Sequence, residues 1–126
     1  MIALADTSLF IAKEQSRPLA GSPPEAIVIS IVTVAELRLG VLMAADSRIR
    51  ATRMATLRLA ESLEPLAIDD AVADAWARLV AELRGNGERM PVNDSWIAAT
   101  ALAHGIPVAT QDRDYGVVHG LEIIHL

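Results

Sequence analysis

The 126-residue sequence contains no cysteine. That excludes a disulfide framework, a thiolate zinc site and a cysteine nucleophile, and it suits a reducing compartment. Aromatic residues make up only 3% of the chain, so recognition of nucleic acid by base stacking is not expected to dominate. Lysine is scarcer still: Lys13 stands alone, and arginine supplies the rest of the 11 basic residues. No apolar run matches a membrane-spanning helix. The charge-free stretch 26–35 is about half the length needed, and the stretch 95–111 is interrupted by His104, Gly105 and Pro107. The N-terminal MIALADTSLFIAKE has no basic lead-in and is broken by Asp6, unlike a signal peptide. A cytoplasmic protein without membrane contact is expected.

What the sequence has in quantity is apolar residues, 52% of the chain, enough for one domain that buries roughly two-thirds of its unfolded surface. Disorder is excluded as the main state. The net charge of −5 argues at first sight against a nucleic-acid partner. There is no internal repeat and no Ser/Gly linker. Two loop-like patches, 16–25 (SRPLAGSPPE) and 85–91 (GNGERMP), carry the turn formers but do not divide the chain.

Between these patches the hydrophobic period alternates between strand and helix. Short apolar segments at 1–5, 26–30, 66–68, 106–110 and 121–124 read as buried strands. A helical pattern starts at Ser30 or Thr33, with Val34, Leu37, Val41 and Ala44 on one face. Residues 47–63 form a further helix bearing Arg48, Arg50, Arg53 and Arg58. Asp69 or Asp70 caps an amphipathic helix with Val72, Trp76, Leu79, Val80 and Leu83 at helical spacing, and another runs from Asn93 to Gly105. Strands alternating with helices predict an α/β fold, a parallel sheet covered on both faces. In such sheets, sites form beyond the carboxyl ends of the strands.

Four acids fall at that end. Asp6 follows the first strand, Glu36 lies early in the helix after the second, Asp94 opens the helix before the fourth, and Asp112 comes two residues after the fourth. Each has a plainer reading. Asp6 suits an N-cap, Glu36 a Thr33-x-x-Glu36 capping box, Asp94 a first helical turn, and Asp112 a turn in QDRD. Jointly they mean more. Carboxylates repel by about 4 kcal/mol per pair at roughly 4 Å in an effective dielectric of about 20. A fold that gathers four must neutralise them by protonation or by a cation. Oxygen-only donors without nearby His or Cys favour Mg²⁺ or Mn²⁺, and Thr7, Ser8, Asn93 and Thr110 can support water or phosphate oxygens.

The residues that carry these acids resemble a known family. MIALADTSLFIA, SIVTVAELRLG and NDSWIAATALAHGIPVATQDRDY, in this order, are similar to the acid-bearing segments of PIN domains, most closely the small toxin ribonucleases of VapBC-type toxin–antitoxin pairs. The resemblance covers nearly the whole chain, although residues 44–88 carry no family motif. It implies one PIN-like domain over 1–126, with about five parallel strands in the order 3-2-1-4-5 and helices on both faces. It implies that Asp6, Glu36, Asp94 and Asp112 bind Mg²⁺ or Mn²⁺, with Asp114 a second candidate for the last position. It also implies cleavage of structured cellular RNA, of the tRNA or rRNA class, by a homodimer that a VapB-type antitoxin neutralises.

With the four acids set aside, 12 acidic residues face 11 basic ones, so the charge objection weakens. The arginines of 48–58 are either an RNA-facing edge or a solvated helix face, and Arg113 is a candidate phosphate contact. Trp76 fits the core stripe, whereas Trp96 suits either an interface or the mouth of the site. The apolar faces holding Leu37, Val41, Met43 and Leu57 predict a covering partner chain. Two rivals stay open: a phosphoacceptor receiver domain, which would want a lysine after a late strand and a second acid beside Asp6, and a PIN-fold interaction domain without turnover.

Overall fold

The computed structural model describes residues 1–113 and 115–126. Its first strand, β1 (Ile2–Ala5), is apolar, and three of its four residues are buried, as a strand covered on both faces requires. β2 (Ala26–Val28) and β3 (Val108–Thr110) flank β1 in parallel, and β4 (Ile123–His125) pairs in parallel with β3, giving the order β2-β1-β3-β4. Parallel neighbours need crossovers. α1 (Thr7–Glu14) lies in the crossover from β1 to β2, and α2 (Ile31–Leu42), α3 (Ser47–Glu61), α4 (Asp70–Gly85) and α5 (Val92–His104) in the one from β2 to β3.

The sequence predicts a further strand at 66–68, outside β2. Here the structure differs. Leu66 makes one isolated parallel bridge with Ser30, closed by Leu66 N donating to Ile29 O and Ile31 N donating to Leu66 O. The bridge sits at the edge where that strand belongs, but it does not extend. Pro65 has no N–H to add to the ladder, and Asp69 turns the chain into α4. The described sheet therefore has four strands rather than five.

Local chemistry sets the helix starts. The hydroxyl of Ser30 accepts from Val32 N at 3.0 Å, so α2 begins there and not at Thr33. Asp46 and Asp69 cap α3 and α4 through Ile49 N and Val72 N. α5 has no side-chain cap; Pro91 holds its N-cap position, and Gly105 ends it at φ +64°. A β-carbon at that left-handed position is strained, although nothing stands within 4 Å of where it would lie. Gly105→Ala is expected to lower unfolding stability by about 1 kcal/mol, readable as a shift in the urea midpoint at unchanged slope.

Two buried clusters lie on opposite faces of the sheet. Leu4 and Val108, paired in register, pack with Leu79, Ile97, Ala98 and Ala101 of α4 and α5. Ala5 packs with Phe10, Val34, Leu37, Val41 and Leu57 under α1, α2 and α3. Leu37, Val41 and Leu57 are thus core residues, because α2 and α3 bury them against one another. Of the predicted partner-covered set only Met43 is exposed. Trp76 departs from its expected core position in the other direction: it is half-buried and stacks on Trp96.

Candidate active site

β1 ends at Ala5, and Asp6 caps α1 while pointing its carboxylate into the molecule, where only 4% of the residue is exposed. The residue thus caps α1 and turns its carboxylate inward at once. Oδ1 accepts from Ser8 N at 3.1 Å and from Ser8 Oγ at 2.5 Å, and Oδ2 accepts from Thr110 Oγ1 at 2.6 Å. The two hydroxyls stand 3.1 Å apart and in turn accept backbone N–H groups, Ser8 Oγ from Gln111 and Thr110 Oγ1 from Asp112. Burial pushes the Asp6 carboxyl above the usual carboxylate range, and the hydrogen bonds from Ser8 and Thr110 oppose that shift. This relay locks the start of the 111–113 segment to the end of β1.

Glu36 lies on α2, six residues past its Ser30 cap, so it completes no capping box. Thr7 Oγ1 instead donates to Glu36 Oε1 at 2.7 Å, and stands 3.2 Å from Thr33 Oγ1, which is fully buried. Thr33, which sequence reading assigns only to a cap, thus stands beside the Thr7–Glu36 pair. Its signal was its spacing: one helical turn before Glu36, on the same face.

Asp94 sits in the first turn of α5 and is half-buried. Its carboxyl is pushed up to about 6, first by burial and then by the negative charges of Asp6, Asp112 and Glu36. The three acids, drawn from three other segments, thus each lie within electrostatic reach of Asp94. The turn that carries Asp94 is held from two sides. Tyr115 Oη donates to the Asp94 carbonyl at 3.2 Å, and Trp76 Nε1 donates to Ser95 Oγ at 2.9 Å. Tyr115 is buried, and burial together with the charges of Asp94, Asp6 and Asp112 keeps its phenol protonated. Neither contact has a sequence signature, since each joins residues about 20 apart without periodicity.

Asp112 is half-buried just past β3, Arg113 beside it is exposed, and Asn93 is exposed at the second position of α5. Asp114 lies outside the described residues. Among the described residues, no three acids stand close enough as placed to enclose one ion; Asp6 and Glu36 engage hydroxyls instead. The donor set is nonetheless all oxygen, and three of its charges bear on Asp94, which fits a hard cation better than zinc. Arg53, one of the predicted RNA-edge arginines, donates through Nη1 to Gly40 O at 2.7 Å and so ties α3 to α2, whereas Arg48, Arg50 and Arg58 are exposed. No described helix is long and apolar enough to cross a membrane.

Comparison with known proteins agrees with this arrangement. A family model described as the PIN domain matches residues 3–121. Ribonuclease VapC4 of Mycobacterium tuberculosis is 50% identical over 127 residues, covering 97% of this chain and 95% of that protein. Ribonuclease VapC5 of the same organism is 44% identical, covering 96% of this chain and 90% of its own. A crystal structure of the toxin–antitoxin family member VapBC-5, also from Mycobacterium tuberculosis, superposes with a TM-score of 0.86 at 42% identity, over 99% of this chain and 98% of that one. With four acids of four segments at the carboxyl ends of a parallel sheet and relatives matched over nearly their whole lengths, the chain belongs to the PIN-domain family, among the VapC ribonucleases.

Proposed function

We propose that this chain, as one PIN domain over residues 1–126, is a Mg²⁺- or Mn²⁺-dependent endoribonuclease, the toxin of a VapBC pair. It cuts structured RNA of the tRNA or rRNA class in the cytoplasm, inhibits translation, acts as a homodimer and is neutralised by a VapB-type antitoxin. The observation that carries this reading is the electrostatic convergence of Asp6, Glu36 and Asp112 on Asp94. The relatives named as ribonucleases and the toxin–antitoxin structure at 42% identity support it.

Asp6, Glu36, Asp94 and Asp112 would hold the cation, with Asp114 the second candidate for the fourth position. When bound, such an ion supplies Lewis-acid stabilisation of a phosphodiester and a water acidic enough to act as nucleophile. The remaining work belongs to the chain's own groups. Ser8 and Thr110 hold the Asp6 carboxylate in one orientation through two donated hydrogen bonds, and Thr7 does the same for Glu36. Arg113 and Asn93, exposed beside the acids, meet the RNA backbone, the arginine as a phosphate-matching fork.

The test is incubation of the purified protein with total RNA in Mg²⁺, in Mn²⁺ and in EDTA. Cleavage with either ion and none in EDTA is expected. Cleavage that persists in EDTA, or labelling of an Asp by acetyl phosphate without any RNA cutting, would overturn the reading. Asp112→Asn and Asp114→Asn, compared in the same assay, decide the fourth acid: the larger loss marks the ligand.

A further inference from the structure

Beside the acid site, between α4 and the first turn of α5, lies a cleft of about 530 Å³ whose lining includes Trp76, Leu83, Arg84, Arg89, Met90 and Ser95. Its volume falls in the range of small-ligand sites. Its chemistry is specific. Trp76 is fixed on one side by a near-parallel stack on Trp96, with ring centroids 4.4 Å apart and planes at 7°. Its indole N–H is taken by Ser95 Oγ, which itself donates to Val92 O. Trp96 backs this indole and does not line the cleft. The indole is therefore a rigid, pre-oriented wall.

The cleft is also basic on an acidic protein. Arg84 and Arg89 are exposed, and neither has an ion-pair partner among the described residues. Glu88 is the one acid in the lining, so the cleft is net positive while the chain carries −5. Its position completes the picture. Ser95 in the cleft wall follows Asp94 directly, and Val92 lies two residues before it. The cleft and Asp94 thus share the first turn of α5, and a strand that crosses this turn, about 5.4 Å of helix, from the acids would bring a neighbouring nucleotide to the opening.

We propose that the cleft binds one unpaired nucleobase of the RNA strand next to the cut, with Trp76 as its apolar wall and Arg84 and Arg89 on the flanking phosphates. The inference rests on the ribonuclease reading above and names the part of the substrate that reading leaves open. Unstacked bases in loops are what structured RNA offers to such a wall. The scarcity of aromatics is thus offset by placement, since half of the chain's four aromatic residues stand at this one point.

The experiment separates binding from cleavage. A single-stranded ten-nucleotide RNA is titrated in EDTA while tryptophan emission is followed; both tryptophans are in the stack. Saturable quenching is expected. Arg84→Gln with Arg89→Gln, on exposed positions that leave the fold intact, should weaken binding about tenfold. An RNA with one abasic position next to the cut should weaken binding to the wild type severalfold and make no further difference to Trp76→Ala, which removes the stacking face. In Mg²⁺ the double arginine variant should raise KM with kcat little changed. Unaltered RNA affinity and KM in that variant would overturn the proposal while leaving the ribonuclease reading intact. So would equal affinity for the abasic RNA. A changed sedimentation coefficient with unchanged RNA affinity would mark the cleft as a contact between protein chains, and again the proposal fails. If the wild type binds the RNA with these dependences but cuts nothing in Mg²⁺, the cleft stands and the ribonuclease reading falls.

Discussion

Asp94→Asn is expected to abolish RNA cleavage, with a loss on the order of a thousandfold or more, and yet to give a more stable protein. The two effects share one cause. The Asp94 carboxyl is raised from 3.8 to about 6 by burial and by the charges of Asp6, Asp112 and Glu36, so its ionised form is unfavourable in the folded chain. A group whose folded pKa is raised contributes stability that is fully present below about 3.8 and is lost as pH rises through about 6. At neutral pH the wild type therefore bears a repulsion that the neutral amide lacks. Asp94 is half-exposed, so solvent screening reduces the effect to about 1 kcal/mol, or about 4 °C in Tm for a domain of this size. The gain should vanish below pH 4. Adding Mg²⁺ should raise the Tm of the wild type by linkage and leave that of Asp94→Asn nearly unmoved. Thermal scans from pH 4 to 8, with and without Mg²⁺, read all of this. A variant that loses activity and stability together at pH 7 would point to a structural role for Asp94 instead.

The same shift predicts the pH profile of the reaction. A protonated carboxyl is a poor ligand for a cation, so cleavage at limiting Mg²⁺ should rise across pH 5 to 7 as Asp94 ionises and flatten above. Saturating Mg²⁺ should move the rise to lower pH, since ligand binding favours the ionised form.

Where the acids fall in the fold was legible in the sequence because the strands and helices that carry them were. β1, α2, α5 and β3 each show their period within a few residues, and the rule that sites form at the carboxyl ends of parallel strands does the rest. The edge strand at 66–68 was not legible as a mere bridge, because an apolar triplet carries no record of how far pairing continues. Nor was the fate of Leu37, Val41 and Leu57. A helix that packs against another helix as well as a sheet buries more than one stripe, so surplus apolar residues read as surface turned out to be core. The couplings Tyr115–Asp94, Trp76–Ser95 and Ser8–Thr110 join residues from distant segments. Such pairs depend on the tertiary arrangement, and no local period announces them. The Glu36 ambiguity was decided by a single hydroxyl, since capping by Ser30 rather than Thr33 moves Glu36 out of the cap and leaves its carboxylate to accept from Thr7.

The hydroxyl relay beneath Asp6 leads to the second large effect. Thr110 is fully buried, donates to Asp6 Oδ2 at 2.6 Å, accepts from Asp112 N at 2.9 Å and lies 3.1 Å from Ser8 Oγ. Thr110→Val keeps the shape and removes all three contacts, so no cavity confuses the result. A buried carboxylate that loses a charge-assisted donor should cost about 2 kcal/mol, or about 8 °C in Tm. The direction with pH is fixed. Thr110 opposes the burial that raises Asp6, so its loss raises the Asp6 carboxyl further, and the deficit should be largest at neutral pH and shrink in acid as Asp6 protonates. Cleavage should fall by roughly 10- to 100-fold, because Asp6 and the Asp112 backbone lose their common anchor. Thr110→Ser, which restores the hydroxyl without the methyl, should recover most of the activity and less of the stability. Equal activity and stability in Thr110→Val and the wild type would mean that the relay positions nothing, and that Asp6 is held by the α1 cap through Ser8 alone.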